Sequence, residues 1–252
     1  DKKTCNYLTE NMDCIVHLAA NTGVPNSVKN PQIDMETNVV GTFNMLEAAK
    51  VNKVKKFIFA SSGAPAGNIE PPIHEEIAPH PVSPYGASKL AGEGYCSAYA
   101  NSFGVKSVIL RFSNVYGPSS KHKSSVVAKY IKNVLNGVPC EIFGDGNQTR
   151  DFIYIDDLIS AILKASLFNQ GGEIFQIATG KELTILELTE KIKNIFTDLG
   201  YEMKINFGSI QIGDVLRNYS KITKASKLLN WKAKIQLDEG LRKTIISFIK
   251  DF

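Results

Sequence analysis

Three side chains in this sequence have the types and spacing to move a proton: the phenol of Tyr85, the amine of Lys89 four residues later, and the hydroxyl of Ser62. If the segment from Ser83 is helical, Tyr85 and Lys89 share a face about one turn apart. An ammonium beside a phenol favours phenolate, so the pairing predicts a tyrosine pKa below its ordinary value of about 10. Ser62 follows the apolar run Lys56-Phe57-Ile58-Phe59-Ala60 and can face the pair from across a crevice. Such a trio implies proton transfer to or from a sugar or steroid hydroxyl while a nicotinamide takes the hydride. The competing reading is plain: a Tyr and a Lys at helical spacing are common surface decoration. Two features favour chemistry. Ser83-Pro84 is a helix-start signal, with Tyr85 in the first turn. The run before Ser61-Ser62 reads as a buried strand ending at a sheet edge, where α/β folds bind ligands.

The elements that must position these groups are legible in the same way. Asp13-Cys14-Ile15-Val16-His17-Leu18-Ala19-Ala20 is a short buried strand closing on small residues that let a ligand, or equally a packed helix, approach the backbone. Pro31 opens a helix to about Lys50, with Val39, Phe43, Leu46 and Ala49 at helical spacing. An extended Pro-rich loop from Pro71 to Pro84 leads into the Tyr85–Gly104 helix, with Gly104 as its C-terminal stop. The strand Ser107–Phe112 follows, and Asn114-Val115-Tyr116-Gly117-Pro118 reads as a turn. Beyond it the pattern gives a helix over Ser124–Gly137, a strand over Cys140–Phe143 and a Gly-Asp-Gly turn. A strand over Phe152–Ile155 runs into a helix opened by Asp156-Asp157, with acids at the positive end of its dipole. Then come a strand over Glu173–Ala178, a capping box at Thr184–Glu187 opening a helix to Leu199, an edge strand over Met203–Phe207, and two closing helices flanking Trp231.

Composition narrows the function classes. With 252 residues and 43% apolar content the chain can bury a sizeable core. The net charge of +4 is spread out, and the densest basic clusters, at Lys53–Lys56 and Lys121–Lys123, lack the aromatic interleaving of a nucleic-acid platform. The four cysteines show no metal-ligand spacing, so no metal is expected, and they suit a reducing, cytoplasmic setting. No apolar run approaches the roughly 18 residues needed to span a bilayer.

Ser61-Ser62, Tyr85-x-x-x-Lys89, Arg111-Phe112-Ser113-Asn114-Val115-Tyr116-Gly117-Pro118, Gly144-Asp145-Gly146 and Thr149-Arg150-Asp151-Phe152-Ile153-Tyr154-Ile155-Asp156-Asp157-Leu158 together resemble the extended short-chain dehydrogenase/reductases, specifically the NAD-dependent nucleotide-sugar epimerases. The resemblance covers nearly the whole chain. It implies an α/β fold: a Rossmann-like, doubly wound parallel sheet over residues 1–118, and a smaller α/β substrate-binding domain over 119–252 with some elements returning to the sheet. It implies Ser62, Tyr85 and Lys89 as catalytic residues, and Leu18, Ala19, Ala20, Asn38, Ser61, Tyr85, Lys89 and Val115 against NAD. Asn114, Phe143, Arg150 and Arg217 join Ser62 on the nucleotide sugar, expected to be a UDP-hexose. For Arg150 the competing reading is an ion pair with Asp151 or Asp157. The expected reaction is epimerisation at C4 through a 4-keto sugar, in a homodimer formed by the helices at Pro31 and Tyr85, with neither nucleic acid nor membrane as partner.

The sequence departs from the family pattern at three places. Ala66 stands where a Tyr usually precedes the Gly, which alters the expected pocket wall. Ile210 and Gln211 stand where an Arg is usual, putting one diphosphate contact in doubt and leaving Arg217 as a substitute. No Gly-x-x-Gly-x-x-Gly opens the chain, so on the order of sixty residues of the family's first strands are expected to be missing. A polypeptide starting at Asp1 is then expected to bind NAD poorly and to expose an apolar sheet edge. Gly63 and Ala64, where related dehydratases carry acids, favour oxidation and re-reduction over dehydration. A reductase or dehydratase, and a cofactor-binding homologue without turnover, are the alternatives.

Overall fold

The computed structural model describes residues 1–210 and 215–252. In chain order its strands are β1 (Cys14–His17), β2 (Lys56–Ser62), β3 (Lys106–Phe112), β4 (Asn114–Tyr116), β5 (Cys140–Phe143), β6 (Thr149–Arg150), β7 (Phe152–Tyr154), β8 (Glu173–Ile177), β9 (Leu183–Thr184) and β10 (Ile205–Gly208). Its helices are α1 (Lys2–Leu8), α2 (Val24–Lys29), α3 (Pro31–Met35), α4 (Gly41–Val51), α5 (Pro84–Phe103), α6 (Val126–Leu135), α7 (Ile155–Leu167), α8 (Ile185–Asp198), α9 (Thr223–Leu228) and α10 (Leu237–Lys250). The chain forms two compact units.

The first unit comprises residues 1–112, 159–177 and 221–232. Its four strands run parallel in the order β1-β2-β3-β8. β2 is central and reads as an unbroken apolar run because both of its faces are covered. On one face Phe57, Phe59 and Ile109 pack against Leu46 and Ala49 of α4 and Cys96 and Tyr99 of α5. β1 lies at the edge, with Val16 exposed.

The helix read as continuous from Pro31 is interrupted. α3 passes into a π turn over Glu36–Val40 before α4 begins. A π turn inserts an extra residue into helical winding, and periodicity alone does not reveal it. α5 begins as its letters require: Ser83 Oγ accepts the Gly86 N–H at 3.1 Å, Pro84 occupies the first turn, and Gly104 (φ 72°) closes it in the left-handed region.

The second unit comprises residues 113–158, 178–220 and 233–252, apart from the residues left undescribed. Three two-stranded ladders, β4–β7 and β5–β10 parallel and β6–β9 antiparallel, frame it. Its core joins Tyr130 and Ile131 of α6, Leu188, Ile192 and Phe196 of α8, and Leu241, Ile245 and Phe248 of α10. Thr184 and Glu187 form the capping box read from the sequence. Asn114–Tyr116 is a strand paired with β7 rather than the expected turn: Asn114 N–H donates to Asp151 O at 3.0 Å, and the Gly-Pro bend comes only afterwards. Among the described residues no helix is long and apolar enough to cross a membrane, and no group of His, Cys, Asp or Glu is arranged to hold a metal ion.

Candidate active site

β2 delivers Ser62 to its C-terminal end, and the first turn of α5 presents Tyr85 to the same place, near enough for the Ser62 hydroxyl to act on the phenol. Ser62 Oγ also accepts the Ala64 N–H at 3.2 Å, which fixes its rotamer. Lys89 is 3% exposed, donates from Nζ to Ala60 O at 2.9 Å, and lies with Nζ 5.9 Å from the centre of the Tyr85 ring. Burial pulls the Lys89 amine down to about 8, against the opposing pull of Asp34, Cys96 and Glu93.

The phenol departs from the sequence expectation. Burial raises the pKa of Tyr85 above its ordinary value, the Ser62 hydroxyl lowers it in part, and the carboxylate of Asp34 adds to the rise. Spacing predicted the ammonium neighbour but not the low dielectric around the ring or the buried acid, and these two prevail.

Asn38 is explained by the π turn. It is buried rather than a solvated mid-helix residue: Oδ1 accepts the Asn21 N–H at 2.8 Å, and Nδ2 reaches Asn21 O, Asp34 Oδ1 and Ser88 Oγ. Ser88 precedes Lys89 and donates to Tyr85 O at 3.0 Å, so Asn38 ties the π turn to the turn that carries Tyr85 and Lys89. His17 is buried against Phe57 and Phe59 and hydrogen-bonded to Thr42 Oγ1 at 3.1 Å; burial first, then Lys89, brings it down to about 4.

Leu18 (56% exposed) and Ala19 lie open beyond the C-terminal end of β1, with Ala20 half-buried beside them. An apolar shelf of small side chains at the carboxyl ends of parallel strands, next to an amine with two N–H groups beyond the one given to Ala60, fits a nicotinamide riboside. Ser61 is placed differently from its expected cofactor role. Its hydroxyl turns inward and donates to Glu93 Oε1 at 2.5 Å. Ala66 is buried at 2% inside the short 3-10 turn Ala64–Ala66, so the position lines no open pocket wall.

In the second unit Asn114 is exposed at the start of β4, with Nδ2 on Asp151 O at 3.1 Å, and Val115 is half-buried beside it. Arg150 Nη1 donates to the carbonyls of Thr149 and Val215. Asp151, an ion-pair candidate for it, instead accepts the N–H and hydroxyl of Thr179 and the N–H of Gly180, while Asp157 accepts the N–H groups of Lys234 and Ile235. Arg217 forms a fork with Glu182 at 2.8 and 2.9 Å, and Glu182 also accepts from Thr149 Oγ1. Phe143 is half-buried under the Lys129 ammonium, 5.3 Å from the ring centre. Gln211 lies outside the described residues. Sequence reasoning missed Asp34, Ser88, Glu93, Asp151 and Glu182. Glu93 alone left a trace, as an acid four residues past Lys89 on the same helical face.

A strand-end serine beside a helix-borne Tyr-x-x-x-Lys, on a parallel sheet, defines a short-chain dehydrogenase/reductase. More narrowly, the chain belongs to the NAD dependent epimerase/dehydratase family, which it matches over residues 1–178. It is 39% identical over 241 residues to a putative UDP-glucose 4-epimerase of Methanocaldococcus jannaschii, covering 94% of this chain and 77% of that one. The UDP-glucose 4-epimerase of Thermotoga maritima, solved with UDP-glucose, superposes with a TM-score of 0.93 at 36% identity, covering 100% of this chain and 82% of that one. The UDP-glucose 4-epimerase of Thermus thermophilus, solved with NAD, gives 0.91 at 32% identity, with 100% and 83% covered. The chain is thus an NAD-dependent enzyme of nucleotide-sugar epimerisation.

Proposed function

We propose that the protein epimerises a UDP-hexose at C4 through a transient 4-keto sugar. The observation that carries this reading is the convergence of Ser62, Tyr85 and Lys89 at one strand end. When bound, NAD supplies the hydride acceptor and donor that such a reaction needs. Ser62 holds the C4 oxygen and Tyr85 takes its proton through that contact. Lys89 donates to the ribose and lends its charge to the developing phenolate. After the keto sugar turns over, Tyr85 returns the proton to the oxygen on the other face. Leu18, Ala19, Ala20 and Val115 are read as cofactor neighbours, Ser61 only through its backbone because its hydroxyl is given to Glu93, with Asn38 bracing the reacting turn. Asn114, Phe143, Arg150 and Arg217 are read as the nucleotide and diphosphate contacts of a substrate-binding second unit.

Gly63 and Ala64 offer no acid to take a second proton, which favours epimerisation over dehydration. Exposed Ile33, Met35 and Val40 near α3 and Tyr95 on α5 support a homodimer through these helices, and four free thiols fit a reducing cytoplasm. The test is incubation with a panel of UDP-sugars and identification of products. Formation of the C4 epimer without net NADH supports the reading, whereas a stable keto sugar or stoichiometric consumption of reduced cofactor contradicts it.

A further inference from the structure

One helical turn past Lys89, Glu93 is buried in α5 at 2% exposure. Arg111 grips its carboxylate with a fork, Nε to Oε1 at 2.8 Å and Nη2 to Oε2 at 2.7 Å. Ser61 Oγ donates to the same Oε1 at 2.5 Å. Ser61 and Arg111 are lateral partners on β2 and β3, so one carboxylate lowered from the helix spans two neighbouring strands. Lys89 Nζ reaches Ala60 O, one residue before Ser61, so successive turns of α5 are fastened to successive residues of β2. The helix has no slack between these points: a Cβ on Gly92 would fall 2.4 Å from Phe59 Cζ, and one on Gly86 would fall 2.8 Å from Ala64 O.

We propose that Glu93 is a positioning residue for the Tyr85–Lys89 pair: gripped by Arg111 and Ser61, its carboxylate fixes the register of α5 on β2 and β3, and with it the reach of Lys89 to Ala60 and of Tyr85 to Ser62. This rests on the reading of Tyr85 and Lys89 as the reacting groups. Apolar side chains of similar volume would fill the same space without desolvating two charges, so stability alone does not account for an ion pair here. A forked carboxylate–guanidinium contact has a single geometry, which apolar packing does not impose. The buried negative charge also lies close enough to the Lys89 amine to help it keep its proton.

The experiment compares wild-type holoenzyme with Glu93→Gln, Glu93→Asp and Arg111→Lys. Glu93→Gln keeps the shape and removes the charge. It is expected to lower kcat about a hundredfold, the effect of a misplacement of around 1 Å, with KM for the UDP-sugar changed by less than about threefold. In protein labelled with 15N-lysine, the Lys89 amine is expected to titrate below its wild-type midpoint. Glu93→Asp should recover part of kcat, and Arg111→Lys, which keeps the charge and loses the fork, should lose about tenfold. The proposal is overturned if Glu93→Gln lowers only Tm while the folded enzyme keeps wild-type kcat and the wild-type Lys89 midpoint. Should that variant not fold, Arg111→Lys and Ser61→Ala give the same readouts. If the wild type converts no UDP-hexose, the functional reading fails, and the Lys89 midpoint in Arg111→Lys and Ser61→Ala, which leave the Glu93 charge in place, still decides the positioning role: a wild-type midpoint in both overturns it.

Discussion

The two units hold their chemistry-bearing side chains in opposite ways. In the sheet unit, Lys89, Asn38, Glu93 and Arg111 are buried and joined by hydrogen bonds to backbone or to one another, and Tyr85 rests on Ser62. In the second unit, Asn114 and Arg217 are exposed, and Arg217 is held by the carboxylate of Glu182. Groups that make and break bonds need a fixed geometry in low dielectric. Groups that capture a charged ligand need partners they can exchange.

The sharpest way to break this comparison is to remove the phenolic oxygen. Tyr85→Phe is expected to cost about a thousandfold in kcat with little change in fold, measured by epimer formation and circular dichroism. A variant turning over near the wild-type rate would move the chemistry elsewhere. In the second unit the rigid element is Asp151 rather than a ligand group. Asp151→Ala, which strands three donors of Thr179 and Gly180, is expected to cost about 3 kcal/mol in denaturant unfolding.

The pH dependence of stability sharpens the contrast from the other side. His17 has a folded pKa of about 4 against 6.5 for the free side chain, so between these values the unfolded chain binds the extra proton. Stability is therefore held above pH 6.5 and falls as the pH drops towards 4, by up to about 3 kcal/mol. His17→Gln should flatten that acid limb, and an unchanged limb would assign it to other groups. The smallest effect belongs to the exposed ion pair. Glu182→Gln should change stability by about 0.5 kcal/mol or less, while KM for a UDP-sugar falls severalfold as Arg217 is released.

Legibility in the sequence followed the same divide. Strands β1, β2 and β3, the Ser83-Pro84 cap and the Tyr85–Lys89 spacing were readable because local rules set them: apolar run length, capping chemistry and helical period. The Thr184–Glu187 box in the second unit was readable for the same reason. The raised phenol of Tyr85, the inward turn of Ser61 and the Glu93–Arg111 fork depend on what the fold brings together from residues far apart in sequence. No window of letters contains them. Asn114–Tyr116 looked like a turn because Gly117-Pro118 follows it, while its true partner, β7, begins 36 residues after Tyr116. The short ladder β6–β9 was missed because two residues are too few to show alternation.

The wide turn over Glu36–Val40 has a consequence for how this enzyme tolerates change. Deleting one residue there would let the backbone wind as an ordinary helix from Pro31 to Val51, a local gain in regularity. Every side chain upstream would then swing by about 100° relative to α4, and the Asp34–Asn38–Ser88 linkage would come apart. The irregular winding is the price of the site: a straighter helix here would mean a better-formed scaffold around an unbraced tyrosine.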